Sequence, residues 1–242
     1  MMRPLRIAIG FLTRFPFAVH GQLDAREHAR SVACYPLVGI LIGSVLAALA
    51  WCLRDAPPLM SAALLVAAWV ACTGVLHLDG LADGADAWIG GIGDRARTLE
   101  IMKDPRSGPA GVVAVVLVLL LKFAALASLR APAWQALLLA PMLARAALVA
   151  LVTWMPYARE KGLATPLLDA PRTTCAIALT ATALACALFG RSGMLALIAG
   201  VLVWLLARRL CLRRIGGYTG DTAGALAECV ETTVLIVLAL GA

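Results

Sequence analysis

Three aspartates in one short stretch are the strongest chemical signal in the sequence. Asp79, Asp83 and Asp86 follow one another at helical spacing in the segment HLDGLADGAD. On a continuous helix this spacing places all three carboxylates on one face, within about two turns. Carboxylates this close repel one another, and a hard divalent cation such as Mg²⁺ or Mn²⁺ relieves the repulsion. The pattern predicts a metal site, with a solvated acidic helix end as the alternative interpretation.

A second charged segment lies shortly after the aspartates. Lys103 and Arg106 flank Asp104 in the sequence KDPRSGPAG. The two cations suit phosphate groups, and Asp104 suits a metal ion held nearby. A charged turn in which Pro105 ends a helix would have the same composition. Because the aspartate row lies so near, we expect a functional segment.

Further candidates lie later in the chain. Arg145 lies within an apolar run, where a charge is costly unless it is paired or lines a polar cavity. Arg159 follows this run in the segment PYAR, and Asp221 lies in the glycine-rich segment GGYTGDT. A glycine-rich turn with hydroxyls and an aspartate is typical of phosphate and metal sites, although such a pattern is weak evidence alone.

Other ionisable residues have less specific signals. His77 lies two residues before Asp79 and is a candidate general base, although a lone histidine near a membrane boundary is more often structural. Lys122 lies in an apolar run, where snorkelling accounts for it as well as function does. Glu228 and Glu231 enter the last apolar run one helical turn apart. Together the candidates predict metal-assisted attack on a phosphorus centre.

The elements that must position these residues are membrane helices. The 242 residues are 62% hydrophobic and 14% charged, with a mean hydropathy of +0.90, which is too apolar for a soluble domain. Apolar runs of about 20 residues, enough to cross a bilayer, recur along the chain. We expect an all-α polytopic bundle with about seven spans. The predicted spans are 32–53, 59–78, 109–129, 134–154, 173–190, 193–207 and 223–242. The sixth is short and flanked by glycine, so a broken or re-entrant helix is an alternative there.

The basic residues predict the orientation of the bundle. With the N-terminus in the cytoplasm, sixteen Lys and Arg residues fall in inside segments and three in outside loops. Such an asymmetry is typical of membrane proteins. We expect one integral membrane domain over 1–242, with a cytoplasmic or interfacial segment at 1–31. The predicted active-site loops, at about 79–108, 155–172 and 208–222, are all cytoplasmic.

Composition also excludes other classes of protein. The net charge of +7 is dispersed among short loops, which does not indicate nucleic-acid binding. The seven cysteines are scattered without a metal-ligand spacing and are typical of small buried residues. The first residues do not predict a cleaved signal peptide. The oligomeric state stays open, with a homo-oligomer among the alternatives.

Several segments together resemble one enzyme family. HLDGLADGAD, KDPRSG and GYTGD, with FLTRFP, YPLVG and PYAR elsewhere, resemble the cobalamin synthase (adenosylcobinamide-GDP ribazoletransferase) family along nearly the whole chain. The resemblance implies a multi-pass protein of the bacterial cytoplasmic (inner) membrane and Mg²⁺ as cofactor. It implies that α-ribazole, or its 5′-phosphate, attacks adenosylcobinamide-GDP through a 5′-hydroxyl and that GMP leaves.

The resemblance also suggests an allocation of roles. The predicted metal ligands are Asp79, Asp83, Asp86, Asp104 and Asp221. The predicted phosphate-binding residues are Lys103, Arg106, Arg145 and Arg159. The predicted catalytic residues are Asp83, Asp86 and His77. One of the aspartates, with Asp86 as an example, or His77 would accept the hydroxyl proton.

Two other functions remain as alternatives. A CDP-alcohol phosphatidyltransferase also uses aspartates at a membrane, but its motif has Ala-Arg where this chain has Gly84 and Ala85. A transporter would line the middle of the bilayer with polar groups, whereas the predicted carboxylates gather at one side.

Overall fold

The ordered elements of the protein are helices. The computed structural model describes residues 2–17, 24–129, 134–159 and 165–241. The α-helices in these ranges are α1 (Met2–Leu12), α2 (Ala25–Ser31), α3 (Tyr35–Cys52), α4 (Pro58–Thr73), α5 (Leu76–Gly90), α6 (Arg95–Ile101), α7 (Pro109–Ser128), α8 (Trp134–Trp154), α9 (Arg172–Leu188), α10 (Gly190–Ile215) and α11 (Gly220–Gly241). The described ranges hold no strand, only an isolated bridge between Tyr157 and Tyr218. The predicted all-α class is confirmed.

Most of these helices are suited to a bilayer. Within the described ranges, five helical segments are long and apolar enough to cross a membrane: Ala25–Cys52, α7, α8, α10 and α11. The helices α4 and α5 pass the same criteria as one bent pair, and α9 is a shorter apolar helix. The predicted spans coincide with α3, α4 and α7 to α11, in agreement with a polytopic bundle. The cytoplasmic placement of the N-terminus stays a prediction.

The predicted sixth span is too short. It ends at 207, where Arg208 and Arg209 begin to interrupt the apolar run, but α10 continues without a break to Ile215. Arginine is a good helix former, and the basic residues Arg213 and Arg214 in the last turn suit the negative end of the helix dipole. A broken or re-entrant helix at this position is therefore wrong.

The predicted second span is too long, because its helix breaks before the aspartates. Helix α4 ends at Thr73, and α5 starts at an angle of 90° to α4. Gly74 and Val75 both have positive φ, of 62° and 68°. The Arg14 side chain fills the place that a Cβ on Gly74 would take. A positive φ is rare for a β-branched residue such as Val75, so this turn is strained.

The centre of the bundle is α8, which is buried along most of its length. Two glycines of α3 pack directly on its backbone. A Cβ on Gly43 would lie 2.5 Å from the Leu137 carbonyl oxygen, and one on Gly39 would overlap the Pro141 carbonyl. Gly39 and Gly43 are spaced as GxxxG, a pattern that permits this close packing of two helices.

The outer surface of the bundle is apolar. Val112, Val116 and Leu120 of α7 are about half exposed, and so are Leu202 and Leu206 of α10. An apolar surface of this extent suits lipid tails and would be unfavourable in water.

The α3–α8 contact gives a prediction for stability. We expect Gly39→Ala to lower the unfolding free energy by about 1–3 kcal/mol, because the new methyl group meets backbone that cannot move aside. Gly200→Ala is the matched control, since a Cβ there makes only ordinary contacts at 3.7 and 3.8 Å. Thermal unfolding in detergent micelles measures both variants. Equal melting temperatures for the two would contradict the packing assigned to Gly39.

Candidate active site

The site is built where α5 crosses α11. A Cβ on Gly80 would lie 2.8 Å from the Asp221 carbonyl oxygen, and one on Gly224 would lie 3.0 Å from that of His77. The two helices can therefore approach so closely only because both positions lack a side chain. The crossing brings the first turn of α11, which carries Asp221, beside the aspartate face of α5.

The three aspartates of the predicted row lie on one helix, as expected. Asp79 is exposed, and Asp83 and Asp86 are half-buried. The carboxylates of Asp79, Asp86 and Asp221 all lie within electrostatic range of Asp83, and so does the Arg159 guanidinium. Four carboxylates thus share a small region with one neighbouring arginine, which favours a bound cation.

Asp86 has a structural role that the sequence did not indicate. Its two carboxylate oxygens accept hydrogen bonds from the backbone amides of Gly108, at 2.6 Å, and Gly111, at 2.9 Å. These amides lie at the start of α7, where backbone N–H groups need partners and negative charge is favourable. A Cβ on either glycine would lie 2.5 Å from an Asp86 oxygen. The carboxylate can therefore approach these amides only because neither residue has a side chain. The metal and base roles of Asp86 stay predictions.

Arg159 and Asp221 are brought together by a short backbone pairing. The Tyr218 amide donates to the Pro156 carbonyl at 2.9 Å, and the Ala158 amide donates to the Tyr218 carbonyl at 2.8 Å. This pairing joins the segment after α8 to the segment before α11. As a result, the Arg159 guanidinium lies 2.7 Å from the Asp221 carboxylate. Sequence reasoning selected both residues without indicating that they form an ion pair.

The segment that contains Lys103, Asp104 and Arg106 lies at the surface. Arg106 donates to both oxygens of Asp104, at 2.9 and 2.7 Å. These hydrogen bonds lower the pKa of Asp104 to about 2. Lys103 is exposed. Asp104 thus stays ionised and paired with Arg106, and its predicted role as a metal ligand is not tested by this contact.

Beneath the site, ionisable side chains from four helices form a buried network. Lys122 of α7 contacts Glu228 at 2.7 Å and Glu231 at 2.5 Å, both on α11. Arg145 of α8 forms an ion pair with Glu231, and one of its guanidinium nitrogens lies 3.5 Å from Nδ1 of His77 on α5. Two cations and two carboxylates balance in charge, as buried ionisable groups require.

Two of the predicted site residues are buried members of this network. Arg145 is fully buried and His77 is 3% exposed. Their contacts are those of groups that hold α5, α8 and α11 together, and their predicted phosphate and base roles stay predictions. In the sequence, two basic and two acidic residues lie within apolar runs. Their equal numbers could have indicated that these residues form ion pairs with one another.

The predicted metal ligands do not surround one point. The described residues include no group of three or more His, Cys, Asp or Glu side chains arranged to hold a metal ion. Mg²⁺, however, is commonly bound by one or two carboxylates together with substrate phosphates and water. Asp79, Asp83 and Asp221 suit that mode of binding. The residues therefore fit a magnesium ion that arrives with a diphosphate, and the assignment stays a prediction.

Comparison with known proteins shows which family the chain belongs to. The family model described as Cobalamin-5-phosphate synthase matches residues 4–239. The chain belongs to this family. Within it, the chain is 54% identical to the adenosylcobinamide-GDP ribazoletransferase of Stutzerimonas stutzeri (strain A1501), over 99% of this chain and 98% of that protein. It is 50% identical to the protein of the same name from Pseudomonas fluorescens (strain Pf0-1), over 99% of this chain and 100% of that protein. No solved structure matches the chain.

Membership in the Cobalamin-5-phosphate synthase family confirms the resemblance drawn from the sequence motifs. It identifies the chain as a member of a family of cobalamin-synthesis enzymes. It supports a cobalamin-synthesis transferase over the CDP-alcohol phosphatidyltransferase and transporter alternatives. Residues 160–164 of the predicted loop 155–172 lie outside the described residues.

The contacts of Asp86 predict a change in stability. We expect Asp86→Asn to lower the unfolding free energy by about 1–3 kcal/mol, because an amide cannot accept both hydrogen bonds through oxygen and removes negative charge from a helix start. Asp79→Asn, an exposed position on the same face, should change the unfolding free energy by no more than about 0.5 kcal/mol. If Asp86→Asn melts like Asp79→Asn in detergent, the anchoring role is wrong.

The buried network gives a second prediction. Glu231→Gln leaves Lys122 and Arg145 short of one counter-charge, and breaking such a pair costs about 3–5 kcal/mol. Glu100→Gln is the control, since it breaks an exposed pair with Arg97 that is worth about 0–1 kcal/mol. The yield of monodisperse protein in detergent and its melting temperature measure the effect. A Glu231→Gln protein as stable as the Glu100→Gln protein would contradict the network.

Proposed function

We propose that this protein joins adenosylcobinamide-GDP to α-ribazole, or to ribazole 5′-phosphate, and releases GMP. Family membership and the names of the relatives support this reaction. The observation that carries it in the structure is the meeting of Asp79, Asp83, Asp221 and Arg159 at the α5–α11 crossing. This set of groups is suited to a diphosphate and its counter-ion.

The reaction exchanges one phosphorus–oxygen bond for another. A ribose hydroxyl oxygen forms a bond to the phosphorus attached to cobinamide, while the bond from that phosphorus to the bridging oxygen breaks. GMP leaves with the bonding electron pair, and the hydroxyl proton passes to a base. No oxidant or reductant is needed.

The attacking hydroxyl is not the one at the 5′ position. A ribazole that already carries a 5′-phosphate has no 5′-hydroxyl, and the family name specifies a product with a 5-phosphate. One reaction can serve both acceptors only if another ribose hydroxyl attacks. The expectation of a 5′-hydroxyl is therefore replaced.

We assign the protein's groups by their exposure and charge. Arg159 can turn from Asp221 to a phosphate oxygen, and the exposed side chains of Lys103 and Arg106 can reach a ligand from the polar side. Asp79, Asp83 and Asp221 would hold Mg²⁺, which when bound neutralises the negative charge on the diphosphate. Asp83 is our candidate for the group that accepts the hydroxyl proton, because it is half-buried among the other carboxylates.

We also propose that the reaction takes place at the cytoplasmic face of a bacterial inner membrane. The Lys and Arg distribution supports this orientation. The helix directions are compatible with it, because the loops before α5, α7 and α11 then share one side.

The function is tested with the purified protein in liposomes. Incubated with adenosylcobinamide-GDP, α-ribazole and Mg²⁺, it should release GMP and form a cobalamin in equal amounts, and EDTA should stop both. We expect Asp83→Asn to lower the rate about 100-fold or more, because it removes a charge that acts on the reacting diphosphate.

The control for this experiment is Asp55→Asn, an exposed aspartate in the α3–α4 loop, on the opposite side of the bundle. It should keep the wild-type rate. Full activity of Asp83→Asn at the same Mg²⁺ concentration would defeat the assignment of the site. Absence of GMP release by the wild-type protein would defeat the proposed function itself.

A further inference from the structure

A mostly apolar cavity lies directly beside the acidic site. Its volume is about 140 Å³, and it lies among α1, α3, α5, α8 and α11. Its inner wall is aromatic and aliphatic, formed by residues that include Phe11, Tyr35, Leu148 and Tyr218. Asp79 and Asp221 line the same cavity, so it is continuous with the groups proposed to act on the diphosphate.

The size and lining of the cavity indicate which kind of ligand it can bind. An apolar cavity of about 150 Å³ is large enough to hold an aromatic ring. The rings of Phe11 and Tyr35 stack with centroids 6.3 Å apart, and the rings of Tyr157 and Tyr218 meet edge to face at 5.2 Å. Such a wall suits a flat, apolar ring system. A phosphate or a guanine base would leave most of its polar groups unpaired against this apolar inner wall.

Two buried tyrosine hydroxyls in the cavity wall, those of Tyr35 and Tyr218, have no hydrogen-bond partner among the described residues. Tyr218 is 1% exposed. The Tyr218 backbone is held by the pairing with Pro156, and its ring packs edge to face against Tyr157. A buried hydroxyl of this kind is expected to find a partner, and a ligand with one hydrogen-bond acceptor would provide it.

We propose that this cavity binds the benzimidazole base of the ribazole acceptor, with the Tyr218 hydroxyl donating a hydrogen bond to the unsubstituted ring nitrogen. This inference rests on the proposed function and adds the acceptor subsite to it. Of the groups in the two substrates, the dimethylated benzimidazole is the one that is flat, bicyclic and apolar with a single free acceptor nitrogen. With the base in the cavity, the ribose lies beside Asp79 and Asp221, where the phosphorus is attacked.

The hydrogen bond is tested by changing both of its partners. The acceptors compared are benzimidazole riboside and indole riboside, in which the acceptor nitrogen is replaced by C–H. Wild-type protein should prefer the benzimidazole riboside in kcat/KM by about 3- to 10-fold. Tyr218→Phe should lose this preference while keeping the KM for adenosylcobinamide-GDP. A purely structural role for the hydroxyl would lower activity with both ribosides equally.

The cavity is tested by filling it. Ala223→Leu places a larger side chain in its wall and should raise the KM for the riboside. The control is Ala183→Leu, which fills a separate apolar cavity between α8, α9 and α10 and should leave this KM unchanged.

The outcomes separate the two proposals. An active wild-type protein would overturn the cavity assignment if Tyr218→Phe kept the preference for the benzimidazole riboside. An active protein in which Ala223→Leu changed the riboside KM no more than Ala183→Leu would overturn it as well. A wild-type protein that transfers to neither riboside nor α-ribazole would instead overturn the proposed function.

Discussion

The helices α5 and α11 can place their carboxylates side by side because no Cβ separates them at Gly80 and Gly224. Helix association within a bilayer depends on close van der Waals packing and on polar contacts, since lipid tails provide no hydrophobic driving force between helices. The glycine crossing supplies the packing. Every other feature of the candidate site, including the Arg159–Asp221 pair and the adjoining cavity, depends on the position that this crossing gives to the first turn of α11.

The buried ionic network fixes the same helices a second time, deeper in the bundle. Glu231 on α11 pairs with Arg145 on α8 and with Lys122 on α7, and His77 on α5 lies against Arg145. In a low-dielectric interior each of these charges is tolerated only while its partner is in place. The network therefore penalises any shift of α11 relative to its neighbours. We infer that it preserves the geometry of the acidic site.

Much of the fold and part of the site could be predicted from the sequence. Hydropathy located the spans, since an apolar run of about 20 residues matches the thickness of a bilayer and is rare in soluble domains. The spacing of Asp79, Asp83 and Asp86 predicted a shared helical face, and α5 carries all three. The break at Gly74 and Val75 was not predicted, because it depends on Arg14 packing over the turn and on a strained φ at a β-branched residue.

The remaining features depend on contacts between residues distant in the sequence. The amides that bind Asp86 lie 22 and 25 residues away from it, and Lys122 finds its carboxylates more than 100 residues further along the chain. No local pattern specifies such partners. The cavity beside Tyr218 is likewise formed by five separate helices, so no single segment of sequence indicates it.

The most direct test of the α5–α11 crossing is a disulfide between the two helices. A Cβ on Gly84 would lie 3.8 Å from the Cβ of Ala225, which is the mean separation in disulfides, at about 3.8 Å. In a background without other cysteines, Gly84→Cys with Ala225→Cys should form a disulfide rapidly on mild oxidation, whereas Gly84→Cys with Ala183→Cys should not. If the first pair stayed reduced under conditions that oxidise accessible thiols, α5 and α11 would not cross as described, and the site built on them would be wrong.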